Sequence, residues 1–397
     1  MAETAAKRAR SAPPAFLTYG FRPFFVFAAA WAAVSLPVLV GAFWLGRWPA
    51  DALPPASWHG HEMLFGFVAA AIAGFLLTAV PTWTSSPPVA GARLAALAVL
   101  WVAGRAVMMP GLGLHDTPLV LLDAAFFPAV AAAIGVSLVG ARNYRNYQFL
   151  LLLAVLTAAN LLFHAARLGW LEPLLDPLRL AVNVVVLMIG VIGGRIVPLF
   201  TRNALLREGV QVAIPASAWA ERTSIAALLA ILIVDAVAPQ TALAGWLALA
   251  GAVSLGLRLV RWHGHRTLGM PIVWVLHAGF AWVAAALALK AAWLLLGAPW
   301  AVNWLHAMTA GAFGTMVLGV MTRVALGHTG RPLVVARTIV AAYWLVMIGA
   351  AARVAGPALA PGLYVQALTI AAACWAGAFA LFLVIYVPIL VGPRSDA

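Results

Sequence analysis

The sequence predicts an all-α, polytopic membrane protein of about twelve transmembrane helices, and three observations carry that prediction. Of its 397 residues, 65% are hydrophobic and only 9% are charged, whereas a soluble globular domain is about 25% charged. Apolar runs of roughly 20 residues, each long enough to cross a bilayer, recur along almost the whole chain. Pro, Gly and Arg punctuate most of the joints between runs, which is the chemistry of turns rather than of helix interiors.

Taken in order, the spans are expected at 22–46, 58–80, 91–110, 118–140, 145–168, 174–200, 216–237, 240–262, 272–297, 301–323, 333–356 and 363–390. The first follows a polar, basic segment, MAETAAKRARSAPPAFL, and is longer than a signal-peptide core, so no cleavage is expected. SSPPVAGAR separates the second span from the third, VGARNYRN the fourth from the fifth, and GHTGRPL the tenth from the eleventh. The connections are too short for a separate soluble domain, so residues 1–397 read as one integral membrane domain, with 1–21 as a basic cytoplasmic segment. Cys374 is the one cysteine and lies in an apolar run, which excludes an internal disulfide or a cysteine metal cluster.

Charge sets the expected orientation. With the N-terminus inside, Arg47, Arg105, Arg167, Arg179 and Arg353 fall at outer ends and Lys290 falls within a helix. The other eighteen of the 24 basic residues fall on the inner side. This positive-inside bias places both termini in the cytoplasm. It also accounts for the net charge of +13 without nucleic acid as a partner. Trp44, Trp48, Trp58, Trp170, Trp300 and Trp304 fall near the outer boundary, as an interfacial belt would.

An internal repeat appears at an offset of 245 residues. His61, Met63, Gly66, Gly74, Thr84 and Pro87 match His306, Met308, Gly311, Gly319, Thr329 and Pro332. A weaker echo at 120 residues aligns Asn183 with Asn303 and Met188 with Met308, with Val186 where His306 stands. Three units of four helices would gather the second, sixth and tenth spans around one centre.

Ionisable groups inside a membrane are costly and mark sites or paths. His59, His61, His164 and His306 fall in the outer ends of the second, fifth and tenth spans. His115 falls in an outer loop, His263, His265 and His328 in inner loops, and His277 near the inner end of the ninth span. His59 and His61 are about 200° apart on a helix, so they face nearly opposite ways and cannot chelate one metal together. His306 at the matching depth, with His61 or His59, makes a pair able to clamp a haem iron. The remaining histidine of the HxH, with His164 or His277, could hold copper or a second haem. Glu62 reads either as a helix-start anion or as a proton relay and tautomer-fixing acceptor. Asp123 and Lys290 are expected to pair with each other or with Glu62. Arg105, Arg167, Arg179 and Arg353 either snorkel to the interface or bind haem propionates. No Walker, Rossmann or hydrolase motif is present.

Four segments carry a family resemblance: YGFRPFF at Tyr19–Phe25, WHGHEMLFGFVAAAIAGFLLTAVPTWT at Trp58–Thr84, GGRIVPLFTRNAL at Gly193–Leu205 and HAMTAGAFGTMVLGVMTRVALGHTGRPL at His306–Leu333. They resemble the NnrS family over nearly the entire chain, with Gly60 where alanine is common. The resemblance implies a bacterial inner-membrane protein with haem b and copper, acting in the nitric oxide response, nitrosative-stress resistance and denitrification. Its partners would be membrane lipid, nitric oxide and an electron donor. The twelve-span plan also resembles the catalytic subunit of haem–copper oxidases and nitric oxide reductases, but the histidines such enzymes carry on helices six and seven are missing. Nitric oxide binding with reductase-like turnover is therefore the leading expectation. A transporter for copper or a small anion is the alternative, disfavoured by a parallel repeat at eight-helix spacing, and a sensor or assembly factor is the third.

Overall fold

The computed structural model describes residues 13–49, 53–112, 117–214 and 217–396. The expected inner basic residues Lys7, Arg8 and Arg10, and the loop histidine His115, lie outside these residues. Among the described residues there is no strand.

Twelve long helices follow one another. They are α1 (Phe21–Leu45), α2 (Pro55–Thr84), α3 (Ala92–Val107), and α4 in two pieces (Thr117–Ala124 and Phe126–Gly140). Next come α5 (Gln148–Arg167), α6 (Pro177–Arg207), α7 (Ala218–Val237) and α8 (Ala242–Arg261). The last four are α9 (Pro271–Leu296), α10 (Pro299–His328), α11 (Arg337–Leu359) and α12 (Tyr364–Val391). Ten of them are long and apolar enough to cross a membrane. The other two are α3, with 16 residues, and α7, which carries Glu221, Arg222 and Asp235.

Local chemistry sets several of the starts. Asp176 caps α6 by accepting from the Leu178 and Arg179 amides, with Pro177 at the first helical position. Ser217 and Thr241 cap α7 and α8 in the same way. Gly46 and Gly297 close α1 and α9 in the left-handed conformation.

Consecutive helices pack side by side, and α12 returns against α1 to close the ring. Burial separates the inner helices from the rest. The apolar stretches of α2, α6 and α10 are 78%, 67% and 72% buried, against 33–56% for the other spans. Gly60 of α2 lies against Leu178 of α6, and Gly193 of α6 lies near Met316 of α10. The second, sixth and tenth helices therefore form the centre, and what they carry faces protein rather than lipid.

Both α2 and α10 loosen into a π-helix at one point, Glu62–Val68 and Ala307–Phe313. These segments are 245 residues apart, the offset of the sequence repeat. A π turn admits an extra residue, re-aims the side chains beside it and is frequent at functional sites. Each is backed by an indole on a glycine. A Cβ on Gly66 would sit 2.5 Å from the Trp31 Nε1 atom, and one on Gly311 would sit 2.5 Å from Trp282. The Gly66 carbonyl accepts from Trp101 Nε1 at 3.1 Å.

Two helices run further than the apolar pattern indicates: α6 continues to Arg207 and α10 to His328. Arg and Asn end an apolar slab without ending a helix, since Arg is a good helix former. His328 is thus a helix-end residue rather than a loop residue. Its ring lies 5.7 Å from Phe21 and 6.4 Å from Tyr19. The tryptophan belt also needs one correction. Trp44, Trp170 and Trp300 are exposed, but Trp58 is buried and donates to the Met108 carbonyl at 2.7 Å.

The YGFRPFF segment locks the two ends of the chain together. Buried Arg22 donates from Nη1 to the carbonyls of Leu390 and Gly392, at 2.7 and 2.6 Å. These are carbonyls at the C-terminus of α12, which the helix itself leaves unpaired. Arg22→Leu is expected to cost about 2–3 kcal/mol, the range of a hydrogen bond to a charged group. A lowered melting temperature in detergent and faster amide exchange at the end of α12 would register it. An unchanged exchange pattern there would refute the clamp.

Candidate functional site

A buried polar cluster lies between α2, α3, α4 and α5. Its members are His61, Glu62, Arg105, Asp123, Asn160 and His164, none more than 4% exposed. Arg105 Nη1 donates to both Glu62 carboxylate oxygens at 2.7 Å, and Nη2 donates to Asp123 Oδ1. His61 bridges the same two carboxylates. Its Nδ1 lies 2.9 Å from Glu62 Oε1, and its Nε2 lies 3.1 Å from Asp123 Oδ2 and 3.0 Å from Asn160 Oδ1. His164 Nε2 donates to Asp123 Oδ2 at 2.9 Å, and Asn160 Nδ2 donates to the same oxygen at 2.9 Å.

The donor count assigns the His61 protons. The Asn160 amide gives its N–H to Asp123, so its oxygen faces His61. Every neighbour of the His61 nitrogens is then an acceptor, and the ring donates from both. Two cations, Arg105 and His61, balance two carboxylates, which is the condition under which charge is tolerated away from water. The nearest donor atoms of His61, Asp123 and His164 also lie within 4.8 Å of one another, a spacing that suits one metal ion.

His59 looks the other way, as its 200° offset from His61 requires. It lies within electrostatic reach of His306 and Arg353. His59 Nδ1 is buried with no hydrogen-bond partner. Arg353 donates to Asn303 Oδ1 at 3.2 Å, and Asn303 Nδ2 donates to the Val354 carbonyl at 3.2 Å. In this second group, Asn303 ties the start of α10 to α11, and His59 of α2 lies within electrostatic reach of His306 and Arg353.

A third buried group holds α6, α7 and α9 together. Lys290 donates to both carboxylate oxygens of Asp235, and Asn183 Nδ2 donates to Asp235 Oδ2 at 3.0 Å. Lys290 Nζ also stands 4.9 Å from the centre of the Trp304 ring.

Several sequence expectations change. Lys290 pairs with Asp235, and Asp123 pairs with Arg105, because Asp235 of α7 is the carboxylate that reaches α9. Glu62 is not a helix-start anion, since α2 begins at Pro55 and Glu62 opens the π segment. Arg105, expected to snorkel or to meet a propionate, is engaged by two carboxylates inside the cluster. His61 is committed to α4 and α5, and His306 has His59 for its histidine neighbour. His277 stands apart from these groups, with Nε2 donating to Thr201 Oγ1 at 2.8 Å and Nδ1 unpartnered. Asn160 and Asp235 went unsingled in the sequence. Asn160 is four residues before His164 and so shares its face, and Asp235 is a carboxylate inside the apolar run ILIVDAV.

Fold and interior together define a multi-pass α-helical membrane protein with histidines and balanced charges built into its centre. A family model described as NnrS protein matches residues 15–394. The chain belongs to the NnrS family, and that membership supports a membrane protein of the nitric oxide response. No curated protein matches the chain.

Proposed function

We propose that this chain is an inner-membrane haem protein that binds nitric oxide and turns it over, with both termini cytoplasmic. The observation that supports the reading is that His59 of α2 and His306 of α10 lie within electrostatic reach of one another, with Arg353 in reach of both, and that His59 Nδ1 is buried without a partner. The residues fit haem b. A buried imidazole nitrogen without a partner at His59 is a free donor for iron. The second imidazole comes from His306, and Arg353 supplies a guanidinium for a propionate. Haem held there would supply an iron able to take nitric oxide as a ligand where one of the two imidazoles yields its place, and two imidazoles that both stay bound would serve electron transfer instead.

The chain's own groups do the rest. Arg353, oriented by Asn303, would fix the cofactor's carboxylate. The central helices, mostly buried, exclude lipid and water from the site. Glu62, His61, Asp123 and His164 form an unbroken hydrogen-bonded chain, so a proton given up at His61 Nε2 passes to Asp123 Oδ2 and one taken at Nδ1 comes from the Glu62 side. Glu62 is thus the relay entry, and Arg105 holds the chain in line. With His61 deprotonated at Nε2, the two imidazoles and one carboxylate of His61, Asp123 and His164 would instead fit a transition ion such as copper. Electrons come from a separate donor, and the outer surface contacts lipid.

The test is an absorption spectrum of the purified protein before and after dithionite and then nitric oxide. A Soret band that shifts with nitric oxide is expected, and at least tenfold less haem per protein in His306→Ala. No Soret band in wild type, or an unchanged band in His306→Ala, refutes the reading.

A further inference from the structure

The C-terminal part of α10 holds a buried cation that no carboxylate pairs with among the described residues. Arg323 is 7% exposed. Its guanidinium carbon lies 3.7 Å from the centre of the Phe200 ring on α6. Its Nη1 is buried without a hydrogen-bond partner, and no ion pair reaches it among the described residues. Arg207, at the end of α6, is a second positive charge within electrostatic reach.

The other buried cations of this bundle are treated differently. Arg105 has two carboxylates, Lys290 has Asp235, Arg22 has two helix-end carbonyls, and Arg258, which also lacks a carboxylate, donates to the Ser224 hydroxyl at 2.7 Å. An unpaired charge taken out of water costs several kcal/mol, so a buried guanidinium without an ion pair, and with a like charge within electrostatic reach, calls for an anion. Contact with the Phe200 ring anchors the guanidinium and leaves Nη1 without a partner, and arginine is the side chain suited to planar, bidentate recognition of oxyanions. Arg323 is also five residues before the end of α10, about 8 Å along the helix axis, which is within reach of the aqueous face.

We propose that the ends of α6 and α10 form an oxyanion-binding site, with Arg323 as the central donor, Phe200 as its platform and Arg207 at the rim. The ligand chemistry is a delocalised oxyanion, supplied by a small free ion or by a phospholipid headgroup phosphate. The site is on different residues from the haem proposal and does not depend on it.

Melting of the full-length protein in neutral detergent tests this. Sodium phosphate and sodium nitrite are titrated against sodium chloride at constant ionic strength. In a second arm, delipidated protein receives phosphatidylglycerol or the uncharged monogalactosyldiacylglycerol. A saturable rise with phosphate or nitrite identifies a free oxyanion, and a rise with phosphatidylglycerol alone identifies the headgroup. In either case Arg323→Gln should weaken the apparent affinity about tenfold or more and Arg207→Gln about threefold, with haem content unchanged. If Arg323→Gln does not fold, Arg207→Gln decides. The proposal fails if neither ion nor phospholipid exceeds its control in wild type, or if the variants respond as wild type does.

Discussion

Arg105→Leu is expected to cost about 3–5 kcal/mol, the penalty for breaking a buried ion pair by removing one side. The substitution strands Glu62 and Asp123 in a site that is 0% exposed at Glu62 and 2% at Asp123, with His61 left to balance both. For a helical bundle that is a large share of total stability, so a sharp drop in melting temperature and in monodisperse yield should follow. The charge-balanced double variant Arg105→Leu, Asp123→Leu supplies the contrast. It removes one charge of each sign, leaves Glu62 with His61, and should recover a good part of the loss, although His164 and Asn160 lose an acceptor. If the double variant is as unstable as the sum of its singles, the cluster is held by packing rather than by charge balance.

His59→Ala and His61→Ala should separate cleanly although the two residues are neighbours. His59→Ala is expected to remove the Soret band to the extent His306→Ala does, because under the proposed haem site both imidazoles hold the iron. His61→Ala should keep the band, since both His61 nitrogens are spent on Glu62, Asp123 and Asn160. Its effects should instead be lower thermal stability and loss of whatever ion the His61–Asp123–His164 donors hold, read by metal analysis. A band lost in His61→Ala and kept in His59→Ala would assign the axial role to His61.

The sequence pattern made the spans legible because hydrophobic length is a nearly one-dimensional property. Apart from the extended ends of α6 and α10, the helices lie close to their expected bounds, and Lys290 neutralises the Asp235 that sits within α7. Opposite headings for His59 and His61 were also readable, since helical rotation alone fixes them. What could not be read is which cation meets which carboxylate. Lys290 and Asp123 were equally plausible partners by depth, and only the packing of α7 on α9's side of the ring selects Asp235. The π turns were invisible too, because an extra residue in a turn leaves no mark on an apolar run. Helix ends failed for a related reason: at Arg202 and Arg207 the polarity changes while the backbone continues.

The brevity of α3 has a consequence for the surrounding bilayer. Sixteen residues at about 1.5 Å each span only about 24 Å, against a hydrocarbon thickness of about 30 Å. Where α3 crosses the bilayer, lipid beside it would have to compress or tilt its chains to meet the shortfall, a hydrophobic mismatch whose elastic cost rises with each ångström. The Arg105 end of α3 would then lie where the membrane is thinned, and lipids with shorter acyl chains would collect along that flank.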